Sequence, residues 1–296
     1  MDTRISQISL RSAALSVADL VLPRVCVVCG RTLLLGETHV CTACAADLPR
    51  TFFAGQRENP MAVAFNSLIE RELARMPAGS QGVDTPYGAC SLPALDYQPY
   101  SYAAALFFYR GDSPYSLIPQ ALKYGRNFEA GRHFARMLGR ELAASSLFAD
   151  VDAILPVPLH WLRRWRRGYN QAEVIAREIA EELKIDTAAS GTVPVLTRVL
   201  KRVHRTRTQT RLNAGGRYEN VKSAFVADGK ALASTKIPAD KAGRPLHLLL
   251  VDDVFTTGAT LLACERALRA ALTAAFGPET ASSIRISVAT LAYVGR

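Results

Sequence analysis

The chain has 296 residues, 49% of them hydrophobic, and a formal net charge of +10. Its length exceeds one average domain, and that apolar content supports a packed core and excludes a disordered chain. No apolar run is long enough to span a bilayer, so no membrane crossing is expected.

Ile5 to Leu22 is rich in apolar residues, but Arg4, Arg11 and Asp19 break the pattern. No small-residue cleavage pattern follows, so a short amphipathic helix against the body is expected in place of a signal peptide. A cytoplasmic location is expected accordingly. Cys26-x2-Cys29 and Cys41-x2-Cys44 come next, eleven residues apart. Two tight thiolate knuckles at that spacing satisfy a tetrahedral structural Zn2+, and a redox role fits the closed spacing less well. Cys90 and Cys264 stand alone.

Three zones follow from texture: 1–50 with the cysteine module, 51–104 as a connector or insertion, and 105–296 as an α/β domain. Within the second zone only Ala62 to Met76 has helical spacing. Leu106 to Tyr109 then reads as a strand, with Ser116 to Lys123 and Glu129 to Leu142 as helices. Ala153 to Pro158 reads as a strand that Pro156 and Pro158 bring to a halt. Gln171 to Leu183 is an amphipathic helix whose Ala172, Ile175, Ala176, Ile179, Ala180 and Leu183 share a face. Ala227 to Arg244 is polar and expected as a hairpin or loop. Leu246 to Val251 is a continuous apolar run, as in a buried parallel strand. A helix over Thr260 to Ala275 and a strand over Ile284 to Val294 complete a parallel sheet flanked by helices. Ligands of such sheets sit beyond the carboxyl ends of the strands.

The basic residues are concentrated. Arg163, Arg164, Arg166 and Arg167 fall between Trp161 and Tyr169, and seven more Lys and Arg lie from Arg198 to Arg217. Those 11 of the 36 basic residues leave 25 against 26 acids elsewhere. Two local patches on a neutral body point to an anionic ligand.

The most informative segment is Val251-Asp252-Asp253-Val254-Phe255-Thr256-Thr257-Gly258-Ala259-Thr260. Two adjacent carboxylates at a strand's end are costly to leave unbound, and ribose hydroxyls or a divalent cation would engage them. The small residues Thr256 to Thr260 precede a helix, where hydroxyls, backbone N–H groups and the helix N-terminus can cradle a phosphate. Gly258 is expected to let backbone approach the ligand. A plain threonine N-cap with solvated acids is the alternative. A Walker B element would need a Gly-x-x-x-x-Gly-Lys-Ser/Thr partner, which the chain lacks. Acids followed by a phosphate cradle suit a 5-phosphorylated ribose.

This segment resembles the phosphoribosyl-diphosphate motif of type I phosphoribosyltransferases. Leu155-Pro156-Val157-Pro158, Arg167-Gly168-Tyr169-Asn170-Gln171-Ala172, Arg205-x-Arg207-Thr208-x-Thr210-Arg211-Leu212 and Arg217-x-x-Asn220-Val221-x-x-Ala224-Phe225 resemble, in order and spacing, the ComF family of competence-associated proteins with this type of domain. The resemblance covers most of the chain and is weakest over 51–104, where Cys90 stands with Tyr87 in place of a second cysteine. It implies a type I phosphoribosyltransferase-like fold that binds phosphoribosyl diphosphate with Mg2+. Asp252 and Asp253 would be the catalytic acids, and Thr256, Thr257, Gly258, Ala259 and Thr260 would hold the 5-phosphate. Pro156, Val157, Arg167, Asn170 and Gln171 would line the diphosphate side, under a hood carrying Arg205, Arg207 and Arg211. Arginine suits that role because it grips phosphate bidentately.

The family implies a part in natural transformation, with single-stranded DNA and a helicase-type protein as partners. Trp161 and Trp165, interleaved with Arg163, Arg164 and Arg166, form either a stacking surface for single strands or an ordinary piece of core. The function therefore reads as a phosphoribosyltransferase with an unidentified acceptor, or as a non-catalytic DNA-binding protein on the same fold.

Overall fold

The computed structural model describes residues 23–75, 83–85, 88–90, 99–124, 128–160, 164–165, 167–185, 191–203, 224–234 and 244–295. The expected helix over Ile5 to Leu22 lies outside them.

After the cysteine module, whose second knuckle opens α1 (Thr42–Ala46), comes α2 (Pro60–Ala74). Asn59 starts α2 by accepting the Ala62 N–H, and Pro60 occupies the first turn, where its missing N–H costs nothing. A small hairpin pairs β1 (Val83–Thr85) with β2 (Gly88–Cys90). Then follow β3 (Ala103–Phe108), α3 (Leu117–Tyr124), α4 (Phe128–Ala143), β4 (Ala153–Pro156) and α5 (Gln171–Glu182). Two further two-stranded pairs join β5 (Lys184–Ile185) to β6 (Gly191–Thr192) and β7 (Leu200–Arg202) to β8 (Phe225–Ala227). Next come α6 (Gly229–Ser234), β9 (His247–Phe255), α7 (Ala259–Phe276), α8 (Pro278–Ser283) and β10 (Arg285–Tyr293).

The main sheet has the order β3-β10-β9-β4, and all its pairs are parallel. Alternation along β9 sends Leu248 and Leu250 to one face and Leu249 and Val251 to the other. The first face packs on α2 and α7 through Met61, Phe65, Leu261 and Leu268. The second packs on α3, α4 and α5 through Ile118, Leu138 and Ile175, with Cys26, Leu33 and Cys41 of the module in the same cluster. Both faces being covered explains the unbroken apolar runs of the central strands.

Several elements differ from their sequence reading. The strand expected from Leu106 begins at Ala103, and Ala103, Ala104 and Ala105 are all buried beside β10. The stretch read as a connector places Phe53, Met61, Ala62, Phe65 and Ile69 in the core. Gly229–Ser234, expected as hairpin or loop, is helical, while 235–243 lie outside the described residues.

Neither edge of the sheet is bare. Phe108 N–H donates to Pro49 O and Thr51 N–H to Leu106 O, so residues 49–51 line β3. On the far side Ile154 N–H donates to Pro194 O and Leu196 N–H to Ile154 O. As expected, proline stops β4: Pro156 is its last residue and sits on an edge strand.

Two buried polar groups tie the ends together. Arg269, on α7, lies 3.1 Å from Glu265 and donates from Nη1 to the carbonyls of Ala281 and Ile284 at 2.6 and 2.7 Å. At the amino edge of the sheet His247 lies 2.6 Å from Asp150 Oδ1 and 2.7 Å from Ser287 Oγ. Nothing local in the sequence pairs this histidine with an acid, since Asp150 lies 97 positions away. This one is structural: Ser287 is fully buried, and its hydroxyl already accepts the Tyr102 N–H.

Candidate functional site

β9 does not end at Val251 as its apolar run implied; it continues through both acids to Phe255. β10 accompanies it throughout, with Thr290 opposite Asp252 and Tyr293 opposite Phe255. β4 stops earlier, since Pro156 pairs with Val251. Asp252 and Asp253 therefore occupy the first stretch of β9 that has lost a neighbour, and this opening lets carboxylates sit in a central strand. Asp253 N–H donates to Asp252 Oδ1 at 2.8 Å, and Lys123 Nζ, from the last turn of α3, lies 2.8 Å from Asp253 Oδ2. Burial, followed by the charge of Asp253, pushes the Asp252 carboxyl up to about 7 against the pull of the Asp253 N–H, Lys123 and Arg202.

Three residues later the chain turns. Gly258 has φ +74° and is the N-cap of α7, which no side chain caps. The threonine N-cap reading is thus replaced by a glycine cap. Thr256 is exposed, and Thr257 and Thr260 are partly exposed. Packing gives Gly258 a further reason to be glycine. A Cβ there would stand 2.7 Å from Leu68 Cδ1 and 2.8 Å from Phe255 Cζ, so internal packing together with the positive φ demands glycine. Ala259 follows as the first helical residue and is buried.

The third part is the segment after β4. Val157 N–H donates to Val251 O. Asn170 Nδ2 donates to Val157 O at 3.0 Å, while its Oδ1 accepts the Ala172 N–H and caps α5. Both ends of this amide are engaged internally, so Asn170 fixes the loop. Gln171, beside it, is 3% exposed, and its Nε2 has no partner among the described residues. Tyr169 Oη donates to Leu122 O, which joins this loop to the end of α3 next to Lys123.

Arg164 N–H donates to His160 O and Gly168 N–H to Arg164 O. Trp165 is 80% exposed, which removes core packing as its role. Arg164 beside it is exposed, and Arg167 partly so. Trp161, Arg163, Arg166, Arg205, Arg207 and Arg211 lie outside the described residues.

The four cysteines of the N-terminal module meet as their spacing implied. Their Sγ atoms all lie within 4.8 Å of one another. Metal–sulfur bonds of about 2.3 Å give a tetrahedron with edges of about 3.8 Å, and Cys29 Sγ stands 3.8 Å from Cys41 Sγ. Cys41 N–H points at Cys26 Sγ and Cys44 N–H at Cys41 Sγ, each at 3.4 Å. Burial raises the Cys26 thiol, but N–H donors from Cys29, Cys41 and Val28 outweigh it and bring it to about 7. The donor set therefore fits a metal such as zinc. Cys264 is fully buried in α7.

Comparison with known proteins adds to this geometry. The chain is 35% identical over 159 residues to Competence protein F of Haemophilus influenzae, an alignment covering 53% of this chain. The chain is thus a homologue of that competence protein. The matched part spans 62% of the Haemophilus protein's length. A broader likeness joins it to DNA utilization protein YhgH of Salmonella typhimurium, 28% identical over 82% of this chain and 89% of that one. The YhgH protein of Escherichia coli K12 is 24% identical over the same shares. No family model matches the chain, and no solved structure matches it either. Among the described residues no helix is long and apolar enough to cross a membrane.

The sequence alone did not reveal Lys123. A lysine in a helix 130 positions before the acids carries no local signature, although its place just before Gly125 and Arg126 marks the end of a helix.

Proposed function

We propose that the carboxyl edge of this sheet binds phosphoribosyl diphosphate with Mg2+, on a type I phosphoribosyltransferase-like domain, and that the protein serves DNA uptake. One observation carries the pocket: a single strand–turn–helix connection presents the Asp252–Asp253 pair and, directly after it, the uncapped start of an 18-residue helix. The acids suit ribose hydroxyls. Thr256 to Thr260 and the N–H groups of the first turn of α7 suit the 5-phosphate. Pro156, Val157 and Arg167 flank the diphosphate side, and the orphaned Gln171 amide supplies a donor there. Mg2+, when bound with the ligand, would neutralise diphosphate charge. Transfer would break the bond from the anomeric carbon to diphosphate, and the basic segment 205–217 would exclude water over the site. The acceptor is unidentified. Competence and DNA-utilization names among the relatives support the cellular role. Four cysteines without disulfide partners suit a reducing compartment such as the cytoplasm.

Thermal unfolding tests the pocket, because a ligand that binds only the folded state must stabilise it. Phosphoribosyl diphosphate with Mg2+ should raise Tm, and the double change Asp252→Asn with Asp253→Asn should abolish the rise. A rise that survives the double change would refute the assignment.

A second reading has its own support in the exposure of Trp165 beside Arg164. An indole in water next to guanidinium groups is a stacking platform for single-stranded DNA. Such binding should weaken steeply with salt and quench the tryptophan fluorescence. Undiminished DNA affinity in Trp165→Ala with Arg164→Ser would remove this surface from consideration. A helicase-type partner belongs to the same reading.

A further inference from the structure

The acidic pair is engaged by a cation of the protein's own. Lys123 Nζ stands 2.8 Å from Asp253 Oδ2, with the lysine side chain 30% exposed and the aspartate 17%. The ammonium group comes from the last turn of α3, and Tyr169 from the loop before α5 holds the adjacent carbonyl of Leu122. α3, that loop and the acids thus converge at the carboxyl edge of the sheet. A second and independent observation at the same edge is an unmatched polar group. Gln171, at the first position of α5, is 3% exposed and leaves its Nε2 without a partner among the described residues, although its neighbour Asn170 is fully satisfied. A buried amide donor is expensive to leave unpaired.

We infer that Lys123 is an exchangeable counter-ion, which neutralises Asp253 while the site is empty and passes to the diphosphate of the incoming ligand. The inference rests on the phosphoribosyl diphosphate reading of the pocket. Its physical need is plain. A strongly anionic ligand must approach two adjacent carboxylates, and an unscreened pair would repel it. A lysine serves better than an arginine here, because a compact point charge on a flexible stem can leave one oxygen for another without breaking a bidentate fork. Because the pair is partly exposed, it is weak enough to break on binding. Lys123 is accordingly a positioning residue.

The test uses the zinc-loaded full chain and two probes, Mn2+ alone, followed by the loss of its free paramagnetic signal, and phosphoribosyl diphosphate with Mg2+, followed by calorimetry. In Lys123→Met, Mn2+ should bind roughly fivefold more tightly, as loss of a competing partly exposed ion pair implies. Phosphoribosyl diphosphate should bind about tenfold more weakly, as loss of one charge-assisted contact implies. Lys123→Arg should leave Mn2+ binding near that of the parent. Opposite signs for the two probes distinguish exchange from a structural defect, which would weaken both. If the parent binds phosphoribosyl diphosphate and Lys123→Met binds it equally well, or if Mn2+ affinity does not rise, the inference is overturned and the pocket stands. If the parent binds no phosphoribosyl diphosphate, the pocket falls and takes the inference with it.

Discussion

Gly258 faces Leu68 so closely that a methyl group on its α-carbon would lie 2.7 Å from Leu68 Cδ1. The turn that ends β9 is thereby clamped against α2, an element far away in the chain. Gly258→Ala must push Leu68 or the Phe255 ring aside and also hold a β-carbon at φ +74°. A destabilisation of about 1–3 kcal/mol is expected from strain of that kind, read from the urea midpoint. An unchanged midpoint would mean that the turn can rotate out of its positive φ.

Asp252 should leave a mark on the pH dependence of stability. Its carboxyl titrates near about 3.9 in an unfolded chain and is raised to about 7 in the folded one. The folded state then holds a proton that the unfolded state has released. The stabilising contribution of this group is full below about pH 4 and is lost as pH rises to about 7. Asp252→Asn should flatten the decline over that window, seen as a difference between the denaturation midpoints of parent and variant. Parallel curves for the two proteins would contradict the assignment.

Metal removal should reach beyond the module. Cys26, Val28, Leu33 and Cys41 share a core with Phe107, Ile118 and Phe134, and Tyr115 Oη donates to Cys44 O at 3.1 Å. The purified protein should carry about one equivalent of zinc. A strong chelator should lower Tm and expose Cys26 and Cys41 to alkylation. Elemental analysis without zinc, with all four thiols reactive in the native state, would count against the site.

The Glu265–Arg269 pair invites a different measurement. Side-chain exposures are 0% and 1%, and the guanidinium also fastens the carbonyls of α8. Arg269→Met leaves a buried carboxylate unmatched and should cost about 3–5 kcal/mol. Changing both residues to apolar ones of similar volume should recover much of that loss. Equal losses in the single and double variants would show that the carbonyl contacts, not the charge pair, carry the energy.

What could be read from residues alone depended on whether the signal was local. The apolar run Leu248 to Val251, the amphipathic face of α5 and the two CxxC pairs each announce their structure within a few positions, and their chemistry needs nothing from elsewhere. The end of β9 was misplaced because two acids look like the end of a buried strand; only the early halt of β4 at Pro156 shows why they are tolerated inside one. Lys123 was invisible because its partner is 130 residues away and the pairing exists only once α3 has packed over the sheet. Likewise Phe53 and Met61 lie outside the helical spacing of Ala62 to Met76 and do not read as core until α2 lies beneath β9. Glu265 and Arg269 have the four-residue spacing of a surface pair, and only the packing of α8 over them turns that pair into an interior one.

The strip 49–51 along β3 and the strip 194–196 along β4 have a consequence for how copies of this protein meet. A parallel sheet with open margins offers hydrogen-bonding groups to any extended chain, its own copies included. Here both margins are taken by segments of the same molecule, so a docking strand finds no vacant ladder. Shortening the chain to begin after Thr51 would strip one margin and remove the module in a single cut. Such a fragment should be prone to side-by-side association, even with every residue of the pocket retained.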